Sequence, residues 1–175
     1  ADEPVVVPPP LLEVGESFVG TGAEAAHVNT VLGRRDGPVG TAWATALATP
    51  SAGHAPFVAV LQPGLPVKPF TLFVPKAAID GRAHARLTWG PAQAGVAAGV
   101  ADAVAAGVVP EAEADQALLV AAVWVDPAAL EAEAVFANNR EATRSALVIG
   151  RAGLPVAGDA VAKRNDAWNP FFRPR

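Results

Sequence analysis

The stretch ALLVAAVWV, residues 117–125, decides how the rest of the chain is interpreted, because every residue in it is apolar. An apolar run of this length between polar segments is typical of a buried strand. Asp126-Pro127 follows at once, and an aspartate before a proline is a helix-start signal, so a long helix is predicted from there to about Ile149. Gly150 or Gly153 would end this helix, because glycine readily adopts the left-handed conformation that follows a last turn.

Upstream of this run, apolar segments bounded by glycine or proline predict four more strands. These strands are Leu12–Val19, Ala26–Leu32, Phe57–Leu61 and Thr71–Val74. A helix is predicted from Pro38 to about Ala48, with Asp36 as a possible N-cap. Trp43 and Leu47 are four residues apart, so this helix would bury both on one face.

A second helix is predicted to open in Trp89-Gly-Pro-Ala-Gln93, with its proline in the first turn. Val96, Val100 and Val104 would form one apolar row along it, and Gly107 would end it. Strands and helices are thus mixed without strict alternation. This order favours an α+β fold over a doubly wound parallel sheet.

The length and composition fit one domain with a sizeable core, since 51% of the 175 residues are hydrophobic. We predict a single domain over residues 14–157. A proline-rich arm, residues 1–13, precedes it, and an irregular C-terminal tail, residues 158–175, follows it.

Composition also excludes several classes of function. A net charge of −4 without a basic stripe argues against a nucleic-acid partner. The chain has no cysteine, which excludes disulfides, a thiolate nucleophile and cysteine-ligated zinc. No pair among His27, His54 and His84 has metal-ligand spacing, so no metal is predicted.

No membrane span is predicted, although residues 37–67 carry no charged side chain. Five prolines interrupt this segment, and a spanning helix needs roughly 20 continuous apolar residues. Methionine is absent, which indicates that an initiator methionine or a leader was removed. Removal of an initiator methionine before a small residue is the simpler interpretation, and it favours the cytoplasm.

Eight short segments occur in a fixed order with near-constant spacing, and together they resemble the formaldehyde-activating enzyme family. The most specific is Gly90-Pro-Ala-Gln93, and the preceding Gly15-Glu-Ser and Glu24-Ala-Ala-His27 also match. The remaining segments lie at residues 32–34, 59–69, 102–104, 109–115 and 141–143.

The resemblance implies a reaction, a fold and an assembly. Members of the family condense formaldehyde with tetrahydromethanopterin, a co-substrate, to give the methylene derivative and water in one-carbon metabolism. Their fold is a two-layer α+β sandwich resembling the second domain of ribosomal protein S5. Their assembly is a homopentamer with sites between subunits, so a homopentamer is expected here.

The resemblance makes His27 the catalytic proton donor. A carbinolamine loses hydroxide only with the help of a proton, which imidazole, ordinarily titrating near pH 6.5, can supply. Without the resemblance, the favoured interpretation of His27 is a structural histidine with a satisfied hydrogen bond, because a lone histidine before a strand is ordinary.

The resemblance also implies the residues that bind the substrates, each with an ordinary structural alternative. Lys76 falls on a pterin-site lysine, or is a solvated charge at a strand end. Gln93 falls on a pterin-contacting glutamine, or caps a helix. Val58 falls on a site leucine, or is plain core. Asn29 and Ala78 depart from the family's aspartate and threonine, which removes a negative charge and a hydroxyl.

These two departures leave other functions open. One is a non-catalytic relative that binds a pterin or a one-carbon compound as a carrier or sensor. Another is an enzyme of the same fold that acts on a different carbonyl substrate. We expect the uncharged Asn29 to weaken pterin binding, since charge-assisted hydrogen bonds are stronger than neutral ones.

Overall fold

A five-stranded sheet forms the centre of the molecule, in a computed structural model that describes residues 8–175. Its strand order is β1-β2-β7-β6-β3, and only β6 and β7 run parallel. A separate hairpin joins β4 to β5. The strands are β1 (Glu13–Val19), β2 (Ala26–Arg34), β3 (Phe57–Val58), β4 (Val60–Gln62), β5 (Leu65–Pro66), β6 (Phe70–Pro75) and β7 (Ala117–Trp124).

The apolar run that opened the sequence analysis is β7, the middle strand of the sheet. Its burial alternates, because Ala117, Leu119, Ala121 and Val123 are buried while the residues between them are only partly covered. The prediction of a strand is therefore confirmed. Only the face turned toward the long helices is fully packed.

Two long helices, α3 and α5, lie side by side against one face of the sheet. The helices are α1 (Pro38–Ala48), α2 (Gly81–Leu87), α3 (Gln93–Ala105), α4 (Glu111–Ala114), α5 (Ala132–Arg151) and α6 (Ala157–Ala162). The contact is close, because a Cβ at Gly15 of β1 would overlap the carbonyl of Ala146 in α5. Sheet and helices thus form two layers, and the predicted α+β class is confirmed.

The helix predicted from Pro38 to about Ala48 is confirmed as α1, but the predicted cap of α1 and the predicted start of α5 are wrong. Asp36 does not cap α1; Gly37 stands at the N-cap, and both carboxylate oxygens of Asp36 accept bonds from Arg34 at 2.8 and 2.6 Å. Asp126-Pro127 forms a turn in which Asp126 Oδ1 accepts from the Ala128 N–H at 2.8 Å, and α5 starts later. An aspartate before proline suits a turn as well as a helix start.

The helix predicted to open at Trp89 is in fact continuous with one that the sequence analysis missed. α2 precedes it, and a π-helical turn, Thr88–Ala92, joins α2 to α3. Pro91 lies inside this turn, where its missing N–H interrupts the regular helical ladder. Val96 and Val100 are buried as expected.

The outer face of the sheet is covered only in part. α1 packs there, near one end of β2 and β7. It buries Val39 and Gly40. Trp43 is half-buried, but Leu47 is 40% exposed, so the prediction that Leu47 is buried is wrong. The rest of this face is open to a ligand or a partner.

The chain ends in ordered local structure. α6 contradicts the expectation of an irregular segment after Val156, and its first turn is stabilised by Asp159 Oδ2, which accepts from the Val156 N–H at 3.2 Å. Of the predicted N-terminal arm, residues 1–7 lie outside the described part of the chain, and Glu13 already belongs to β1. No helix within residues 8–175 is long and apolar enough to cross a bilayer.

Candidate active site

An open cleft of about 1160 Å³ lies on the outer face of the sheet, where β1, β2 and β7 meet the C-terminal tail. A glycine-containing turn at residues 20–22 closes one side. The side chains and backbone that line it are those of Glu16, Phe18, Gly20, Thr21, Gly22, Ala25, His27, Lys76, Trp124, Asp126, Trp168, Asn169, Pro170 and Phe171.

His27 lies on this face because of strand alternation. β1 and β2 are antiparallel with Phe18 opposite His27 and Glu16 opposite Asn29, so these four side chains share one face. The Phe18 ring lies against the imidazole at a centroid distance of 5.9 Å. The imidazole is half-buried and lines the cleft, which excludes the alternative of a core histidine.

Both nitrogens of His27 have protein partners. Nε2 is 2.8 Å from Glu16 Oε1, and Nδ1 is 3.2 Å from Lys76 Nζ. Because a carboxylate can only accept, Nε2 carries a hydrogen toward an ionised Glu16. In this tautomer Nδ1 is the acceptor, and Lys76 Nζ donates to it.

Lys76 follows β6, which lies next to β7 on the side away from β2. Its backbone N–H donates to the carbonyl of Val123 in β7 at 2.8 Å, which holds the side chain over β7 and β2. Its Nζ donates to Asn29 Oδ1 at 2.7 Å. Burial lowers the pKa of Lys76, and the negative charge of Glu16 acts in the opposite direction.

Three predicted site residues are therefore joined in one hydrogen-bonded group, and three are not. His27, Asn29 and Lys76 form the group. His27 and Lys76 line the cleft, whereas Asn29 joins the group through Lys76 and is not part of the lining. Among the described residues, the lining also lacks Val58, Ala78 and Gln93.

Gln93 has a different use in this chain. Its Oε1 accepts from the Val60 N–H at 2.6 Å, and its Nε2 donates to the Val60 carbonyl at 3.1 Å. This amide completes the backbone bonding of β4 as another strand would. Val58 lies in β3, two residues before Val60 in the chain.

The sequence analysis gave no role to Glu16 or to the tail aromatics. Glu16 stands in the matched segment Gly15-Glu-Ser, and strand alternation is the signal that could have placed it beside His27. The tail returns to the cleft, where the Phe171 ring meets Trp124 edge-on at 6.4 Å. Arg173 lies over the Trp168 ring at 5.1 Å.

The other two histidines do not join the cleft. His84 is buried, accepts from the Asp80 N–H at 3.0 Å through Nδ1, and donates from Nε2 to the Val125 carbonyl at 2.8 Å. His54 Nδ1 is 2.9 Å from the Pro75 carbonyl. Both are bound to backbone. Within residues 8–175 no three histidine, aspartate or glutamate side chains lie close enough together to hold a metal ion.

Comparison with known proteins agrees with the resemblance seen in the sequence. The profile of the family described as "Formaldehyde-activating enzyme (Fae)" matches residues 14–172. The 5,6,7,8-tetrahydromethanopterin hydro-lyase of Methanosarcina barkeri is 42% identical over 158 residues, which cover 90% of this chain and 89% of that protein.

Longer relatives match as well. The bifunctional enzyme Fae/Hps of Archaeoglobus fulgidus is 39% identical, and that of Methanococcoides burtonii is 40% identical. The matches cover 90% and 83% of this chain, but only 40% and 37% of those two proteins. This chain thus corresponds to less than half of each bifunctional enzyme and to nearly all of the hydro-lyase. From the match over residues 14–172 and the identity to the hydro-lyase, the chain belongs to the formaldehyde-activating enzyme family.

Proposed function

We propose that this protein condenses formaldehyde with tetrahydromethanopterin to give methylenetetrahydromethanopterin and water. The observation that carries the proposal is His27, an imidazole held between a carboxylate and an amine in an open cleft. The hydro-lyase that this chain matches along nearly its whole length supports the choice of substrates.

The chemistry needs one well-placed proton. An amine of the reduced pterin adds to formaldehyde and forms a C–N bond, which gives a carbinolamine. Its hydroxyl leaves as water once it receives a proton, and a second pterin amine then adds to the same carbon and loses its own proton. General acid catalysis of such a step typically contributes about 10²–10⁴-fold, and we assign it to His27.

Glu16 supports this role for His27. The 2.8 Å contact fixes the orientation of the imidazole, and the carboxylate stabilises the ring when it is protonated. Lys76 contacts the ring from the other side, and Asn29 accepts a hydrogen bond from Lys76. Both belong to the same proposed substrate site.

The proposal includes a homopentamer with sites between subunits. The separation of Gln93, bonded to the Val60 backbone, from the cleft around His27 supports it, because neighbouring subunits of such an assembly bring separate surfaces together. Ala78 belongs to the same proposed site. Light scattering that gives about five times the chain mass is the expected result, and a monomer at micromolar concentration would contradict it. We also propose a cytoplasmic location, and detection in a membrane-free cytosolic fraction tests it.

A non-catalytic pterin-binding protein is the second candidate. The observation that favours it is the neutral partner of Lys76, because Asn29 Oδ1 accepts a hydrogen bond without supplying a charge. A protein that binds the pterin but does not accelerate its reaction with formaldehyde would have this second function.

The deciding experiment follows the absorbance change of tetrahydromethanopterin on addition of formaldehyde, with the uncatalysed reaction subtracted. We expect the wild-type protein to accelerate the reaction and His27→Ala to lose most of the acceleration with its melting temperature unchanged. His54→Ala removes a histidine outside the cleft and serves as the control. Full activity in well-folded His27→Ala would contradict the donor role.

A further inference from the structure

We propose that Lys76 is a second catalytic residue, which binds the formaldehyde carbon covalently through Nζ before the pterin receives it. The proposal rests on the proposed function only for the identity of the carbonyl substrate. Its basis is the position of Nζ, which lines the cleft 3.2 Å from His27 Nδ1 and donates to an uncharged amide.

The three lysines of the chain differ in their partners. Lys68 Nζ lies 3.4 Å from Asp115 Oδ1, and Lys163 Nζ lies 3.6 Å from Asp166 Oδ2. Lys76 forms no ion pair with any carboxylate of residues 8–175, and its contacts are an imidazole and an amide. Both of those partners can also contact a neutral amine.

Partial burial without an ion-pair partner favours the neutral amine. Burial lowers the pKa of Lys76, as described above, and Glu16 opposes the shift. The titratable groups that face the cleft beside Lys76 are Glu16 on β1, His27 on β2 and Asp126 after β7. A neutral amine is the form that attacks a carbonyl, and desolvation is a known way to activate a lysine for this chemistry.

The covalent sequence needs no oxidant or reductant. The lone pair of Nζ attacks the carbon of formaldehyde, and the C=O π electrons move to the oxygen. The nitrogen then loses one proton and the oxygen takes one up, so a neutral carbinolamine forms on Lys76. His27 then donates a proton to the hydroxyl, water leaves, and the carbon remains as an iminium on Nζ. His27 is placed for this step because its ring lies within hydrogen-bond distance of the nucleophile.

Transfer to the pterin regenerates the lysine. A pterin amine adds to the iminium carbon and gives up its proton, and the Lys76 nitrogen leaves after protonation. The second pterin amine closes the ring on the same carbon and releases the last proton. The net change is that of the uncatalysed condensation, in which formaldehyde and two N–H groups become N–CH2–N and water.

The test needs no pterin. The wild-type protein is treated at pH 7 with limiting ¹³C-formaldehyde and cyanoborohydride, which reduces an iminium to an N-methyl group, and the label at each lysine is read by peptide mass spectrometry. Lys68 and Lys163 are internal controls in the same sample. Since the neutral-amine fraction rises as a pKa falls, and His27 lies beside Nζ as an acid, we expect Lys76 to be labelled severalfold faster than Lys163.

Steric shielding alone predicts the opposite order, which makes the experiment decisive. If the cleft wall only hinders the access of formaldehyde to Nζ, Lys76 reacts more slowly than the exposed Lys163. Slower or equal labelling of Lys76 would overturn the proposal. His27→Gln should slow the labelling of Lys76 and leave that of Lys163 unchanged, since only Lys76 has His27 as its acid.

A pair of variants separates this proposal from the proposed function. Lys76→Arg keeps a positive donor near Asn29 but cannot form an iminium, so we expect it to lose most of the condensation activity, whereas Lys163→Arg keeps it. Fast labelling of Lys76 in a wild-type protein that does not condense formaldehyde with the pterin would sustain the lysine proposal and reject the pterin reaction. Full activity of Lys76→Arg would reject the lysine proposal alone.

Discussion

Replacing Asn29 by aspartate places a carboxylate oxygen where Lys76 Nζ now meets the amide oxygen at 2.7 Å. Two unit charges about 4 Å apart attract by ~4 kcal/mol at an effective dielectric constant of ~20. Exposed pairs retain only about 0.2–1 kcal/mol of such an attraction. Lys76 is half-buried, so we expect Asn29→Asp to stabilise the fold by about 1–2 kcal/mol, which corresponds to a rise of about one unit in the pKa of Lys76.

The stabilisation by Asn29→Asp should be lost both at low pH and at high pH. The new carboxyl would have a lowered pKa in the fold, so its contribution is present above about pH 4 and is lost as pH falls through the folded value. At the upper end, the substitution raises the pKa of Lys76 relative to the wild type. The added stability is therefore lost as pH rises through the new Lys76 value, and it is largest between these limits.

Thermal unfolding followed by circular dichroism measures the difference. For a chain of this size, about 1 kcal/mol raises the melting temperature by about 2–4 °C. Asn165→Asp adds the same charge at an exposed residue near the C-terminus and is the control. Equal melting temperatures for the two variants at pH 7, or a stabilisation that persists when the carboxyl is protonated, would refute the ion-pair reasoning.

The remaining predictions concern the cleft and the packing beneath it. Glu16→Gln should lower kcat more than it raises KM, because the amide keeps a contact with His27 but loses the charge, whereas Glu133→Gln at an exposed helix start should leave both unchanged in the absorbance assay. Deletion of residues 168–175 should raise KM for the pterin about tenfold, a loss of about 1.4 kcal/mol, because Trp168 and Phe171 line the cleft; an unchanged KM would contradict a role for the tail. Gly15→Ala should destabilise the fold by at least ~2 kcal/mol in urea unfolding, since its Cβ would overlap the Ala146 carbonyl, while Gly158→Ala, which meets open space, should not.

A helix or strand could be predicted from the sequence where its residue pattern is compatible with only one local structure. The residues of β7 that face the long helices are apolar because those helices exclude water from them, whereas the residues on the other face are only partly covered. The start of α5 could not be located in the same way. Asp126-Pro127 stabilises a local turn as readily as a first helical turn, and only the packing of α5 decides between them.

The sequence predicts which residues of a strand share one face of the sheet, but it does not predict the contacts that they make. Strand alternation on β1 and β2 suffices to place His27 and Asn29 on one face, because the two residues lie on one strand. Lys76 reaches that face only because β6 pairs in parallel with β7. The pairing joins strands that are far apart in the sequence, so no local sequence pattern predicts it. Gln93 shows the reverse case. A matched motif placed it in the site, yet in this chain its amide is occupied by the backbone of Val60.

The contacts of Lys76 connect the family's chemistry to the departure at residue 29. With an aspartate there, a lysine would be held as an ammonium by an ion pair, and it could bind an acceptor on the substrate but could not attack a carbonyl. With Asn29, the same lysine keeps its position through a neutral hydrogen bond and loses the charge that stabilises its protonated form. The substitution that weakens electrostatic binding is therefore also the one that favours a nucleophilic amine beside His27. Asn29→Asp should accordingly slow the labelling of Lys76 by formaldehyde and cyanoborohydride by about tenfold at pH 7. This factor corresponds to the rise of about one unit in the pKa of Lys76 that follows from the expected gain in stability.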